Sequence, residues 1–572
     1  MDASFVPDSD GGSLYVRLLA PPSEEQSSFF SFSKPKPRAK LVVETERGFG
    51  SASRGSLTPK ERAERLRVQL EGPCQKLRLL KVEARTNNSK EAEQWVKGLL
   101  RGAYLDVKPY RRLKVLVNPA GGPGKARQLF QTRVRPILEA AGCRLDVQVT
   151  ERVRHGTEIA QKLPLDQFDA LLFISGDGLA HEILNGFAQR PDAAIALKMP
   201  MCPIPAGSGN ALCVNLLGPQ QGFNLALATL NAIKGQPLPL DICVVTQPRS
   251  AASDKGKDKS RRPNSAAEPS VMADAADQDP VALAAAPALP FVQYYSFLSQ
   301  AIGLMADVDL GTEHMRALGD SRFIIGYLSG VIAHNECLVD IDVKLGDKGS
   351  KDKSKMREKT NAFNSSGQWK TNGDSGASAS TGMPELRHGA VTEPLYGDDG
   401  SPSVMSAVDP SWTHNILNDN KAAAQPEQDP PLTSWARLKA PVSTLYAGKI
   451  PYVARDLMQF PYALPGDGTV DVALQLHGGG RASKLRAISD AESGAVVYDR
   501  AVVYLKVEAY RVTPRLPAGD PRLKKGGLVS IDGEHRPYAP FQVEVSSLQA
   551  MTMSLFGRFN VPEVPQPPEP RA

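Results

Sequence analysis

Three short glycine-rich stretches hold the residues best suited to chemistry: Asn118-Pro-Ala-Gly-Gly-Pro-Gly-Lys125, Ser175-Gly-Asp-Gly178 and Pro205-Ala-Gly-Ser-Gly-Asn210. Glycines let a backbone approach a phosphate closely, and the free N–H groups at the start of a helix attract anions. One such turn is weak, but three together, one of them bearing an acid, point to a phosphate-binding site. Asp177, flanked by Gly176 and Gly178, is a carboxylate with room beside it for a substrate. Such a group near a hydroxyl acts as a general base, and it would equally cap the helix that follows. The first stretch lacks GxxxxGK[ST] and is not a GxGxxG turn, so neither a P-loop nor a dinucleotide fingerprint is present.

The elements that must position these loops alternate. KVLVNP, CRLDVQVTE, ALLFISG and CPIPA read as strands. Between and after them, ARQLFQTRVRPILEAAG, GTEIAQKL, AHEILNGFAQ and NALCVNLLG read as helices. Strand–loop–helix alternation predicts a doubly wound parallel α/β nucleotide-binding lobe over 111–245, with the three loops at its carboxyl edge. After about residue 291 the pattern becomes strand-rich: YYSFLSQAI, ECLVDIDVKL, TVDVALQL, AVVYLKVEAYRV and FQVEVSS alternate, and only Gly311 to His334 reads clearly as helix. Strands in succession predict an antiparallel β-sandwich lobe, over 291–345 and 435–560, with a cleft against the first lobe.

The remaining segments differ. Residues 1–110 mix short alternating runs with one helical stretch, Ser89 to Arg101, and predict a small β-rich N-terminal domain, either pleckstrin-homology-like or a strand-rich extension of the next domain. Residues 246–290 and 346–434 are poor in apolar side chains and predict disordered insertions, and 561–572 is a Pro-rich tail. At about 150 residues per domain, 572 residues suggest three or four domains. Removing the insertions and tail leaves a two-lobed core and a small N-terminal domain. The net charge of +6 is too diluted for a nucleic-acid binder, and the six scattered cysteines suit neither a disulfide scaffold nor a zinc module. No secretory start and no apolar run of about 18–20 residues is present, which predicts a cytoplasmic protein.

The motifs VNPAGGPGKA, SGDGLAHEILNG and PAGSGNAL, in this order, resemble the catalytic domain shared by diacylglycerol kinases and sphingoid-base kinases. Ala306-Asp-Val-Asp-Leu310, with Glu313, Arg316, Leu318-Gly319 and Arg322-Phe323, is similar to sphingosine kinases, and the large insertions give the chain a fungal cast. The resemblance implies transfer of the ATP γ-phosphoryl group, with Mg2+, to the primary hydroxyl of a sphingoid base. It makes Asp177 the general base and Asp309 the partner of the amino-alcohol head group, with Glu313 and Ser175 beside the substrate. Asp309 is chosen over Asp307 by motif position alone, since strand alternation would put both on one face.

The positions that the resemblance assigns to ATP are Asn118, Ala120, Thr150, Glu151, Arg152, Ser175, Gly176, Asp177, Glu182, Gly207, Ser208, Gly209, Arg316, Arg322, Asp532, Gly533 and Glu534. Gly466-Asp-Gly-Thr-Val-Asp471 resembles the family's DGxxD segment and reads equally as a hairpin turn. His155 and His181 are assigned structural or peripheral roles, and no metal ligands are chosen. A diacylglycerol kinase and a catalytically dead, membrane-binding relative are the alternatives. Peripheral membrane contact is expected on each, because the substrate resides in bilayers; the preferred base and the oligomeric state stay open.

Overall fold

The computed structural model describes residues 2–6, 13–17, 94, 97, 100, 104, 107–248, 291–312, 321–345, 352–366, 435–438, 441–515 and 528–563. Most of the N-terminal region, including the pleckstrin-homology expectation, lies outside these residues. Within it β1 (Asp2–Val6) pairs with β2 (Ser13–Arg17), and positions 94, 97, 100 and 104 are helical.

The chain is a mixed α/β, sheet-rich fold. Strands β3 (Arg112–Val117), β4 (Arg144–Val149), β5 (Ala170–Ser175) and β6 (Met201–Pro205) pair in parallel, in the order β6-β5-β3-β4. β3 and β5 are buried almost throughout, as strands covered on both faces must be, whereas β4, at the edge, leaves charged side chains in solvent. The order reverses at β3, which lies between β4 and β5, so the β3 and β5 loops open where such sheets bind ligands. The connecting helices are α1 (Ala126–Leu129) and α2 (Arg135–Ala140), α3 (His155–Lys162), α4 (Asp177–Ala188), α5 (Ala193–Ala196), α6 (Ala211–Leu217) and α7 (Leu225–Lys234).

Beyond α7 the strands are β7 (Gln236–Pro248), β8 (Phe291–Ser296), β9 (Ser299–Gly303), β10 (Val339–Leu345), β11 (Trp435–Leu438) and β12 (Val442–Gly448). The short pair β13 (Tyr452–Ala454) and β14 (Leu457–Met458) precedes β15 (Val470–Leu476), β16 (Val502–Pro514), β17 (Val529–Ile531), β18 (Glu534–Arg536) and β19 (Phe541–Ser554). Apart from β13 and β14, which pair only with each other, hydrogen bonding runs unbroken from these antiparallel strands into the parallel ones in a single sheet of 15 described strands. The joint is β19, which is antiparallel to β7 and β16 and meets β6 in parallel at Thr552 and Met201.

Several expectations change. Tyr294 to Ile302 is not one strand: it breaks at Phe297-Leu298 into β8 and β9. Within the helix expected from Gly311 to His334, α9 (Ser321–Ala333) forms, 313–320 lie outside the described residues, and a further helix, α8 (Leu304–Gly311), ends where the expected one begins. Asp307 and Asp309 are therefore helical and not in a strand, and two positions on a helix face nearly opposite ways. Asp307 is exposed and Asp309 is half-buried. Inside 346–434, read as disordered, α10 (Lys353–Ser366) forms and buries Met356 against a cluster that includes Phe460 and Tyr462. Residues 249–290 and the tail beyond 563 lie outside the described residues. α11 (Gly480–Ala491) had no strong apolar period in the sequence.

Asp467 and Asp471 lie within a buried ionic cluster. Lys449 Nζ donates to Asp241 Oδ2 and Asp467 Oδ1, each at 3.2 Å, and also to the Thr469 carbonyl. Lys506 Nζ donates to Asp467 Oδ2 at 2.7 Å and Asp471 Oδ2 at 2.8 Å, while Tyr504 donates to Asp471 Oδ1 at 2.6 Å. Burial alone would push the Asp467 carboxyl up, but the Lys506 and Lys449 ammoniums hold it well below the usual range. The cluster ties β7, the end of β12, the turn before β15, and β16 together. Replacing Lys449 with Met takes away the only ammonium among the described residues facing Asp241 and one of the two facing Asp467, and the expected loss is about 3–5 kcal/mol of unfolding free energy, checked by urea denaturation.

Candidate active site

The three glycine-rich loops meet at the carboxyl edge of β3, β5 and β6, and their backbones touch. Gly122 has φ +54°, and a Cβ there would lie 2.7 Å from the Ala206 carbonyl oxygen. A Cβ on Gly207 would lie 2.3 Å from Gly176 Cα, and one on Gly176 would lie 2.5 Å from the Gly209 carbonyl oxygen. Only glycine fits these approaches. The loops are also hydrogen-bonded. Asn118 Nδ2 donates to Ser175 Oγ at 3.2 Å, and Asn118 Oδ1 accepts the Ala120 N–H at 3.1 Å. Asn210 closes the third loop, its Nδ2 donating to the Gly207 carbonyl at 2.7 Å. Ser208 and Ala120 are exposed at the rim.

Asp177 stands at the centre. It is the first residue of α4, yet its side chain caps a different helix, accepting the Ala211 N–H at 2.7 Å and the Leu212 N–H at 3.1 Å at the start of α6. Burial pushes its carboxyl up to about 6, although those two N–H groups oppose the shift and Asp532 adds to it. The carboxyl is thus poised to accept a proton near neutral pH.

Glu182, one turn further along α4, points the other way. Its oxygens accept the Arg154 N–H at 3.1 Å and the Gly156 N–H at 2.8 Å, so it pins the left-handed turn that begins α3. Burial pushes this carboxyl up to about 7 against those bonds. Its observed task is to place the turn carrying Glu151 and Arg152. Thr150 is buried at the end of β4, whereas Glu151 and Arg152 are exposed, the latter paired with Glu158 at 2.5 Å. His155 accepts the Glu151 N–H at Nδ1, 3.0 Å away.

The Asp532-Gly-Glu534 turn connects β17 to β18 and brings the distant strands to this edge. Asp532 has φ +53° and a fully enclosed carboxylate. Oδ1 accepts Ser296 Oγ at 2.5 Å, the Leu298 N–H at 3.0 Å and the Ser299 N–H at 2.9 Å, and Oδ2 accepts the Phe297 N–H at 3.1 Å and contacts His181 Nδ1 at 2.9 Å. These bonds bend the chain between β8 and β9, which is why the expected single strand is split. The Asp532 side chain is turned inward and its oxygens are committed; Gly533 has open space around its α-carbon, and Glu534 lies beside Gly178. On the same strand Ser530 Oγ donates to Asp309 Oδ2. Burial, with Asp309 nearby, pushes the Tyr446 phenol up. Asp309 is thereby joined through β17 to the loop edge. Glu313 and Arg316 lie outside the described residues, and Arg322 falls in α9.

Asn210, Ser530, Tyr446 and Arg536 are absent from the positions assigned from sequence. Asn210 was visible as the last residue of its motif. The others contact the site across hundreds of positions, and no local pattern points to them. Among the described residues no group of three or more His, Cys, Asp or Glu side chains could hold a metal ion. Gly207→Ala would force the second and third loops apart. It is expected to weaken ATP binding about tenfold, within the roughly 1–3 kcal/mol typical of overpacking, in a fluorescent-nucleotide titration.

Comparison with known proteins agrees with this geometry. Residues 112–245 match the diacylglycerol kinase catalytic domain. "Sphingoid long chain base kinase 5" of Saccharomyces cerevisiae is 29% identical over 83% of this chain and 64% of its own length. "Sphingoid long chain base kinase 4" of Schizosaccharomyces pombe is 27% identical over 83% of this chain and 81% of its own. Human "Sphingosine kinase 2" is 35% identical over 43% of this chain and 34% of its own. Among solved structures, a putative diacylglycerol kinase from Bacillus anthracis aligns with a TM-score of 0.44 at 14% identity, over 78% of this chain and 96% of that one. Residues 112–245 are thus similar to the diacylglycerol kinase catalytic domain, and the chain is similar along most of its length to sphingoid long chain base kinases.

Proposed function

We propose that the protein is an ATP-dependent lipid kinase that phosphorylates the primary hydroxyl of a sphingoid long-chain base. The observation that carries this reading is the closure of three glycine loops around Asp177, with Asp309 linked to the same edge through Ser530 and β17. Exposed Ser208 at the rim offers its N–H and hydroxyl to the ATP phosphates, and Asn118, bonded to Ser175 and to the Ala120 N–H, orients the first loop. Phosphoryl transfer asks a protein chiefly for positioning and charge stabilisation. Asp177 takes the proton from the attacking hydroxyl, and its two N–H donors on α6 keep the carboxylate aimed.

Magnesium is commonly held by one or two carboxylates plus substrate phosphates, where it neutralises developing charge. Among the described residues no group of three or more acidic, His or Cys side chains gathers that could hold a metal ion, so Mg2+ would come with the ATP phosphates and neutralise their charge there. Asp309 supplies the anion that an amino-lipid head group needs and a diacylglycerol does not. The antiparallel strands beside it form the lobe that takes the lipid tail. No described helix is long and apolar enough to cross a membrane, and the lipid is met at the surface by peripheral contact.

The test is a radiolabelled-ATP transfer assay with a sphingoid base and with diacylglycerol. Asp177→Asn is expected to lose about 10²–10⁴-fold in rate. Asp309→Asn is expected to depress transfer to the amine-bearing lipid. Greater wild-type activity on diacylglycerol would replace the reading with the alternative kinase, and background transfer by wild type would overturn it. Because the Asp177 carboxyl sits at about 6, kcat should rise with pH through that value, as the base loses its proton.

A further inference from the structure

Helix α4 carries Asp177 in its first turn and, one turn later, the buried His181. The hydrogen-bond roles around that imidazole follow from its neighbours. Tyr295 fixes the Asn185 amide: Nδ2 donates to the Tyr295 carbonyl at 2.9 Å, and Oδ1 accepts the Tyr295 N–H at 2.9 Å. Asn185 Nδ2 also donates to the His181 carbonyl at 2.9 Å, so both its hydrogens are committed and its 3.3 Å approach to His181 Nε2 is not a third bond. Arg536 Nη2, 2.8 Å from the same ring nitrogen, is only ever a donor. Nε2 accepts from Arg536, so the proton is assigned to Nδ1, which donates to Asp532 Oδ2 at 2.9 Å. The ring is neutral and held in a single tautomer.

Both partners of that ring lead to the site. Asp532 sets the turn between β8 and β9 and follows Ser530, which grips Asp309, by two residues. Arg536 lies two residues beyond Glu534, its guanidinium stacked 4.2 Å over the Tyr294 ring. Among the described residues its buried Nε has no partner. The contact with His181 therefore weighs more in fixing this guanidinium.

We propose that His181 is a positioning residue: its neutral imidazole, wedged between Asp532 and Arg536, sets the spacing between the Asp177 loop and the strand that holds Asp309. A ring that merely filled volume would tolerate an apolar replacement of similar size. A ring that sets this spacing would not, because leucine leaves Asp532 short of a donor and Arg536 short of an acceptor. The proposal rests on the lipid-kinase reading.

The experiment uses the full chain, with kcat and KM for ATP and for a sphingoid base, thermal midpoints, and side-chain 15N NMR of the histidines. His181→Leu is expected to lower kcat about 10²-fold, the scale of a misplacement near 1 Å, with KM for ATP changed far less. His181→Asn, which restores a donor toward Asp532, should recover much of the loss. Arg536→Met combined with His181→Leu should be no worse than His181→Leu alone, as for residues acting as one unit. The wild-type spectrum should contain a neutral, Nδ1-protonated ring that His181→Leu removes. A His181→Leu enzyme with wild-type kcat overturns the proposal, as do Asn and Leu variants equally impaired in proportion to their loss of thermal stability. An Nε2-protonated or doubly protonated ring overturns the assignment whatever the kinetics show. Wild type that transfers no phosphate to a sphingoid base overturns the kinase reading instead.

Discussion

The buried carboxylate of Asp532 is the interaction on which the arrangement of the site depends. A carboxylate removed from water is costly unless donors surround it, and here five donors do. Three of them are successive backbone N–H groups, Phe297 to Ser299, so satisfying the charge bends the chain sharply and turns one apolar run into two strands. The fourth is Ser296, and the fifth is His181 on the helix that carries Asp177. One side chain thus fastens a turn of the antiparallel strands to a helix of the parallel sheet. The neighbouring residues use that joint: Ser530 holds Asp309, and Glu534 stands beside Gly178.

Against this anchored edge the three glycine loops can close. Their contacts are backbone against backbone, at separations that a single methyl group would occupy. Many loop N–H groups bond within or between the loops, which fixes their shape, with Asp177 held by the first turn of α6. The same helix, α4, also carries Glu182, which fixes the turn opening α3. Three polar side chains within six residues of one helix therefore serve three different loops. The second buried charge centre, around Lys449 and Lys506, has no part in this edge and ties strands together in the antiparallel part.

Much of this was legible in the sequence because its causes are local. The strands and helices of 111–245 follow from apolar runs of strand length, helical spacing and glycine-rich breaks, and the structure places them close to where those patterns put them. The residues quoted in the three loops come together because parallel strands always send their carboxyl ends to one edge. The errors have local reasons too. Asp307 and Asp309 lie two apart in a segment whose β-branched content is too slight to decide strand or helix, and the helical outcome separates them. Lys353 to Ser366 is polar enough to read as unstructured, yet Met356 and Thr360, spaced four apart, reach the core. Asp532 and Glu182, nucleotide positions by resemblance, direct their carboxylates at backbone N–H groups.

By itself, then, the sequence determined which loops are rich in glycine, which acid stands in one of them, and that parallel strands deliver them to a common edge. Those properties depend on neighbours within a few positions. Only the tertiary structure decided that Asp177 caps α6, that His181 is locked between Asp532 and Arg536, and that Asp309 reaches the edge through Ser530. Each of these depends on contacts between residues far apart in the chain, and no local periodicity records which distant donor a buried carboxylate will find.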